Sequence, residues 1–113
     1  IITGSQASGL PPITLDKSTS NSLTIVGNGA TIRRSSASGV ADFRIFTVDG
    51  GFLYLDEVTL SNGRSRTGTS GGAIAVNSGS LYLYDSTLSG NTGLNGGGGI
   101  YIGSLAKEVV LRN

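Results

Sequence analysis

The segment SGGAIAVNSGSLYLYDSTLSGN, residues 70–91, contains three short stretches in which apolar and polar residues alternate. Each stretch is too short for a helix, and each is bounded by Gly, Ser, Asn or Asp. Alternation with a period of two indicates β-strands, whose successive side chains point to opposite faces. The segment therefore predicts three short strands that are joined by tight turns.

The same pattern recurs along the chain with a period of about 28 residues. The stretch GFLYLDEVTLSN (residues 51–62) aligns with GSLYLYDSTLSG (residues 79–90), so that Leu53 corresponds to Leu81. A three-strand unit cannot bury its apolar side alone, whereas stacked copies can. A β-sandwich also has short strands, but these are usually longer and need no fixed spacing. We therefore predict an all-β parallel solenoid of about four coils, in which residues 1–113 form a single domain or a segment of a longer one.

Equivalent positions in successive coils are expected to form columns with a spacing of about 4.8 Å. The glycines that precede the first strand of a coil, at positions 71–72 and 97–99, are expected at tight corners or at close approaches between coils. The predicted inward columns are Leu23/Leu53/Leu81/Val109, Ile25/Leu55/Leu83/Leu111, Ile32/Leu60/Leu88, Phe46/Ile74/Ile100 and Val48/Val76/Ile102.

Two short motifs resemble a known repeat family. GGAI (residues 71–74) and LSGN (residues 88–91) are similar to the paired GGA[I/L/V] and FxxN motifs of the polymorphic outer-membrane protein repeats. Leu88 stands where that family prefers Phe, and the neighbouring coils read GGGI and DFRI in place of GGAI. The resemblance implies a right-handed parallel β-helix, broadly like autotransporter passengers and the pectate-lyase-like superfamily. It also implies a secreted or cell-surface scaffold rather than a particular chemistry.

The composition argues against several classes of function. The net charge is +1, which does not favour a nucleic-acid partner. No apolar run approaches the roughly 18 residues of a membrane span. The chain has no Cys and no His, so we expect no metal site, no thiol chemistry and no cofactor. A charge-poor chain rich in Gly, Ser, Thr and Asn fits an extracellular or cell-surface location.

The acidic residues offer one candidate for catalysis. Glu57 and Asp85 are 28 residues apart, so adjacent coils bring them together, and Asp49 and Asn77 form a second such pair. A glycosidase needs two carboxyl groups about 5–9.5 Å apart. Both pairs lie at strand ends, however, where Asp and Asn commonly stabilise turns. We therefore expect no catalytic residue, and a carbohydrate-active lyase or hydrolase remains the alternative.

Exposed side chains suggest surfaces for binding. Tyr54, Tyr82 and Tyr84 are expected to form an aromatic patch that contacts a glycan or a surface protein. The same residues would also stabilise the sheet by cross-strand contacts alone. The loops and outward columns supply a Thr ladder, which is too narrow to favour ice binding, and a set of arginines that are either solvated or face an acidic partner: Thr31, Thr59 and Thr87; Arg33, Arg34, Arg64 and Arg66.

The two ends of the sequence read as coil material without polar caps, and the first letters, IITG, suggest a piece of something longer. An uncapped coil exposes unpaired backbone groups and an apolar rim. The chain is therefore either part of a longer β-helix or a subunit that stacks end to end into a fibre. The predicted stacking residues are Ile1, Ile2, Ile13, Leu15, Val109, Val110 and Leu111. The function expected from these features is that of a non-catalytic structural or adhesive scaffold.

Overall fold

The structure, a computed structural model, describes residues 13–14 and 22–113. Within these residues the chain has no helix, and all strand pairs are parallel. The strands are β1 (Ile13–Thr14), β2 (Ser22–Arg33), β3 (Phe46–Ser61), β4 (Ile74–Tyr84), β5 (Thr87–Ser89) and β6 (Ile100–Arg112).

Strand pairing confirms the predicted solenoid. β3 lies next to β1 and β2 on one side and next to β4 and β5 on the other, and β4 in turn pairs with β6. Leu23, Leu53, Leu81 and Val109 are in register on four successive strands. The strands stack as about three turns, roughly 28 residues apart. The register of the sheet therefore equals the period of the sequence, and all five predicted inward columns are confirmed.

The strands differ from the prediction in length. We predicted three separate short strands per coil, but β3 runs without interruption through all three segments. The predicted corners are present as register shifts, for example between Asp49 and Phe52. Several corner residues adopt positive φ, including Gly50 (116°), Gly79 (86°) and Glu57 (50°). A single left-handed residue bends the strand while neighbouring coils stay paired, which is the geometry of a β-bulge.

The core lies between the coils and is centred on β3 and β4. Leu53, Leu55 and Leu60 are fully buried, as are Ile74 and Val76 on the next coil. Like side chains stack on like in each column, so each rung presents a similar volume to the next, as close packing requires.

The GGAI motif has a steric explanation. Gly71 adopts a φ of 76°, which favours glycine. A Cβ atom on Gly72 would lie 2.5 Å from the carbonyl oxygen of Thr92 and 2.6 Å from that of Gly98. At the preceding coil the position that corresponds to Gly72 is Arg44, within DFRI. Its Nη2 and Nε donate to the carbonyl oxygens of Ser70 (2.8 Å) and Gly71 (3.3 Å).

The motif asparagine binds one coil to the next. Asn91 Nδ2 donates to the Leu60 carbonyl (3.0 Å), and Asn91 Oδ1 accepts from the Gly63 N–H (2.8 Å). Asn62 acts similarly one coil earlier, where its Nδ2 donates to the Arg34 carbonyl (2.9 Å). The conserved role of these amides within the chain is therefore structural, since each satisfies backbone groups of a neighbouring turn.

Among the loop arginines, Arg34 is not solvated. Only 8% of its surface is exposed, because its guanidinium lies against the loop that leads into β3. It donates to the carbonyl oxygens of Asn62, Val40 and Ala41 and lies 5.8 Å from the centre of the Phe43 ring. The expectation that it is solvated or faces an acidic partner is therefore wrong for Arg34, whose donors are used inside the fold.

Candidate functional site

The aromatic patch is built on one outward column of the second strand segment. Thr24, Tyr54, Tyr82 and Val110 are in register, as predicted. The rings of Tyr54 and Tyr82 stack with centroids 4.4 Å apart and planes 7° apart. Each ring therefore uses one face on the other, which favours the cross-strand contribution to stability over a flat platform for a sugar.

The hydroxyl of Tyr82 makes a further contact with the last coil. It donates to Oε2 of Glu108 at 2.7 Å. The hydrogen bond to this carboxylate, with smaller contributions from desolvation and charge, raises the pKa of Tyr82 to about 12. Tyr84 lies in the next outward column, between Asp56 and Arg112, and takes no part in the stack of Tyr54 on Tyr82.

Glu57 and Asp85 lie at corresponding corners of adjacent coils. Both are exposed, with φ of 50° and 45°. The backbone N–H of Asp85 donates to the Arg112 carbonyl (2.8 Å), and the N–H of Val58, after Glu57, donates to Ser86 Oγ (3.1 Å). These contacts support a role of both residues in the corner geometry of the coil.

The second pair, Asp49 and Asn77, is joined directly. Asn77 Nδ2 donates to Asp49 Oδ1 at 2.8 Å, across two adjacent coils at the predicted spacing of 28 residues. The pair lies at the end of the first strand segment, where the register shifts. Its hydrogen bond is a lateral link between coils, and it leaves the amide oxygen of Asn77 facing outward on an exposed side chain.

The predicted stacking residues at the C-terminal side lie on β6. Val109, Val110 and Leu111 pair with residues 81–83 of β4. Within the described residues no strand pairs with the other edge of β6. Three large apolar side chains of this strand are mostly exposed: Ile102 (55%), Leu105 (73%) and Leu111 (58%).

Among the predicted stacking residues at the other end, Ile13 belongs to β1 and pairs with Val48. Ile1, Ile2 and Leu15 lie outside the described residues.

One feature was not predicted, namely a cleft of about 360 Å³ on the side of the solenoid. It is lined by residues of three successive coils: Arg44, Gly68, Thr69, Ser70, Asn77, Asn95 and Tyr101. Tyr101 is 42% exposed and is in register with Ala75 on the adjacent strand. Sequence periodicity does not reveal this cleft because its walls are loops. The arginine that interrupts the glycine motif was the one available signal.

Metal and membrane features were also sought. Residues 22–113 and the short strand β1 contain no cluster of three or more His, Cys, Asp or Glu side chains placed to hold a metal ion. In the same part of the chain, no helix is long and apolar enough to cross a membrane.

Comparison with protein-family models, with curated proteins and with solved structures finds no significant match to this chain.

Proposed function

We propose that this chain is a non-catalytic scaffold of the extracellular space or cell surface, with a structural or adhesive role, and that its coils extend by parallel stacking. The observation that carries this proposal is the outer edge of β6. This strand is 13 residues long, and its apolar side chains Ile102, Leu105 and Leu111 are exposed. Exposed apolar groups beside unpaired backbone groups favour the addition of another strand.

The partner with the best match to this edge is another coil of the same kind. A further coil would place an apolar side chain over Ile102 and Leu111, as β4 does over β3 in the same columns. Such a coil comes either from a longer form of this chain or from a second copy that stacks end to end. A location outside the cell rests on composition and on the GGAI and LSGN motifs, which resemble those of polymorphic outer-membrane protein repeats.

The stacking proposal is tested by the size of particles in solution. We expect sedimentation velocity and electron microscopy of the purified chain to show oligomers or fibres that grow with concentration. The double substitution Ile102→Lys and Leu111→Lys places charge on the inner columns of the edge and should reduce association by at least tenfold. Thr87→Lys is the matched control, since Thr87 is exposed on a lateral column. Uniform monomers of the parent chain at all concentrations would count against self-stacking.

A carbohydrate-active enzyme remains the alternative, with Glu57 and Asp85 as its candidate carboxylates. The positive φ of both residues and their corner positions favour a structural role instead. Cleavage of acidic polysaccharides by the parent chain, and its loss in Glu57→Ala and Asp85→Ala, would support the enzyme and contradict the scaffold.

A further inference from the structure

The lateral cleft combines the side chains that proteins use to bind sugars. Asn77 and Asn95 offer planar amides, Thr69 and Ser70 offer hydroxyl groups, and Tyr101 offers a partly exposed ring. Hydroxyl-rich ligands need several donors and acceptors at fixed positions together with an apolar ring face. The volume of about 360 Å³ is at the lower end of the range for small-molecule sites, which suits one or two sugar rings.

One wall of the cleft is held in place by hydrogen bonds between loops. The carbonyl oxygen of Thr69 accepts from Ser65 Oγ (2.6 Å) and from the N–H of Asn95 (3.0 Å). Ser65 is 1% exposed, and its Oγ also accepts from the N–H of Leu94 (2.8 Å). A buried serine thus ties together the loops of two coils. Fixed walls reduce the ordering cost of binding a small ligand.

The floor of the cleft is fixed by Arg44. Its Nη2 and Nε donate to the carbonyl oxygens of Ser70 and Gly71, so the guanidinium supports the loop from below. Burial lowers the pKa of Arg44, whereas the nearby carboxylate of Asp49 opposes that change. Asp49 is also the acceptor for Asn77 Nδ2. The positive charge is therefore already matched by two carbonyl oxygens and a carboxylate.

This compensation decides between classes of saccharide. An acidic sugar would need a cation that is free to pair with its carboxylate, and the described lining residues other than Arg44 carry no charge. A neutral sugar needs the amides, the hydroxyl groups and the ring and leaves the Arg44–Asp49 arrangement unchanged. We propose that the cleft formed by Arg44, Thr69, Ser70, Asn77, Asn95 and Tyr101 binds a short neutral saccharide.

The site does not depend on stacking at β6. Its residues come from three coils and face sideways, so they remain available whether or not another coil is added to the end. Its binding can therefore be measured on the full chain as a monomer or as an assembly, and the two proposals fail independently.

The test is a titration of the isotope-labelled chain with neutral sugars, followed by amide chemical shifts. The probes are the methyl glycosides of glucose, galactose and mannose, N-acetylglucosamine, lactose and cellobiose, with glucuronate and galacturonate as acidic counterparts. We expect millimolar binding of at least one neutral probe, with shift changes centred on residues 68–70, 77, 95 and 101. No shift change with any neutral probe, or tighter binding of the uronates, would overturn the proposal.

Substitutions separate the cleft from the tyrosine stack. Tyr101→Ala and Asn95→Ala should each weaken binding by about tenfold, the factor that corresponds to about 1.4 kcal/mol. Both side chains are exposed, so the fold should be retained, and circular dichroism checks this. The matched control is Tyr54→Ala, which removes an outward tyrosine on a different column. Loss of binding in Tyr54→Ala but not in Tyr101→Ala would assign the ligand to the Tyr54–Tyr82 stack and refute the cleft.

Discussion

The middle and last coils contain the same kinds of residue in the same columns, yet their burial differs greatly. In one inward column Leu55 is fully buried, Leu83 is 6% exposed and Leu111 is 58% exposed. In the neighbouring column, Leu53 and Leu81 are fully buried whereas Leu23 is 41% exposed. The side chains point the same way in each case, so burial depends on having a coil on both sides. A single coil therefore does not make a core, and the interface between coils does.

The largest expected effect comes from shortening a side chain in the middle coil. Leu55→Ala should lower the free energy of unfolding by about 2–5 kcal/mol, because it leaves a cavity between two packed coils. Leu111→Ala, in the same column, should cost less than about 1 kcal/mol, because much of its apolar surface is already in water. Denaturant unfolding followed by circular dichroism measures both. Equal losses would show that the end coil is covered in solution, as the stacking proposal requires.

The next effect concerns Arg34, which ties a loop to the neighbouring coil. Arg34→Ala should destabilise the fold by about 3 kcal/mol, because it leaves buried carbonyl groups of Asn62, Val40 and Ala41 without a donor. Arg33→Ala is the control, since the adjacent Arg33 is exposed, and it should change stability by less than about 0.5 kcal/mol. The same unfolding experiment decides, and equal effects would contradict the structural role of Arg34.

Glycines at the approach between coils should show a similar contrast. Gly72→Ala places a Cβ against the backbone of Thr92 and Gly98 and should cost at least about 2 kcal/mol. Gly99→Ala meets only Leu88 Cδ1, at 3.4 Å, and should be nearly neutral. Thermal unfolding of the two variants compares an interior contact with one beside the last coil. A neutral Gly72→Ala would mean that the two coils are farther apart than the structure places them.

The smallest effect is a change in titration. Tyr82 has a folded pKa of about 12, above its ordinary value of 10.0, because its hydroxyl donates to Glu108. Its contribution to stability is therefore present below about pH 10 and is lost as the pH rises towards 12. Tyrosinate absorbance should show one late-titrating group that disappears in Tyr82→Phe and shifts to lower pH in Glu108→Gln.

Tyr101, on the last coil, is the internal comparison for this titration, and Tyr101→Phe should leave the late group in place. A late group that persists in Tyr82→Phe would show that the hydrogen bond to Glu108 does not form.

The sequence was sufficient to predict the register because the period and the spacing between coils are the same quantity. Leu53 and Leu81 were matched by counting residues, and the sheet pairs them. The continuity of β3 was not predicted, because it depends on whether corner residues such as Glu57 keep their neighbours hydrogen-bonded. Alternation of side chains gives no information on that point.

The loops were predicted least well. Arg34 was assigned to a solvated loop because charged residues after a strand are usually exposed, yet contacts with Val40 and Phe43 bury it. The lateral cleft combines Arg44, Asn77, Asn95 and Tyr101 from three coils, and no spacing rule connects them. Periodic packing predicts which residues lie over one another in the strands, but non-periodic loops require the three-dimensional path of the chain.

Because the register equals the repeat length, the chain offers a natural unit for duplication or deletion. Removing residues 46–73 would join Ile45 to Ile74 and bring Leu23 beside Leu81, with the same kind of side chain at each inward position. Inserting one unit would lengthen the solenoid by about 4.8 Å. Replication errors of 28 codons, or a multiple, would thus change the reach of the protein without requiring a new core, whereas other lengths would place polar residues inside.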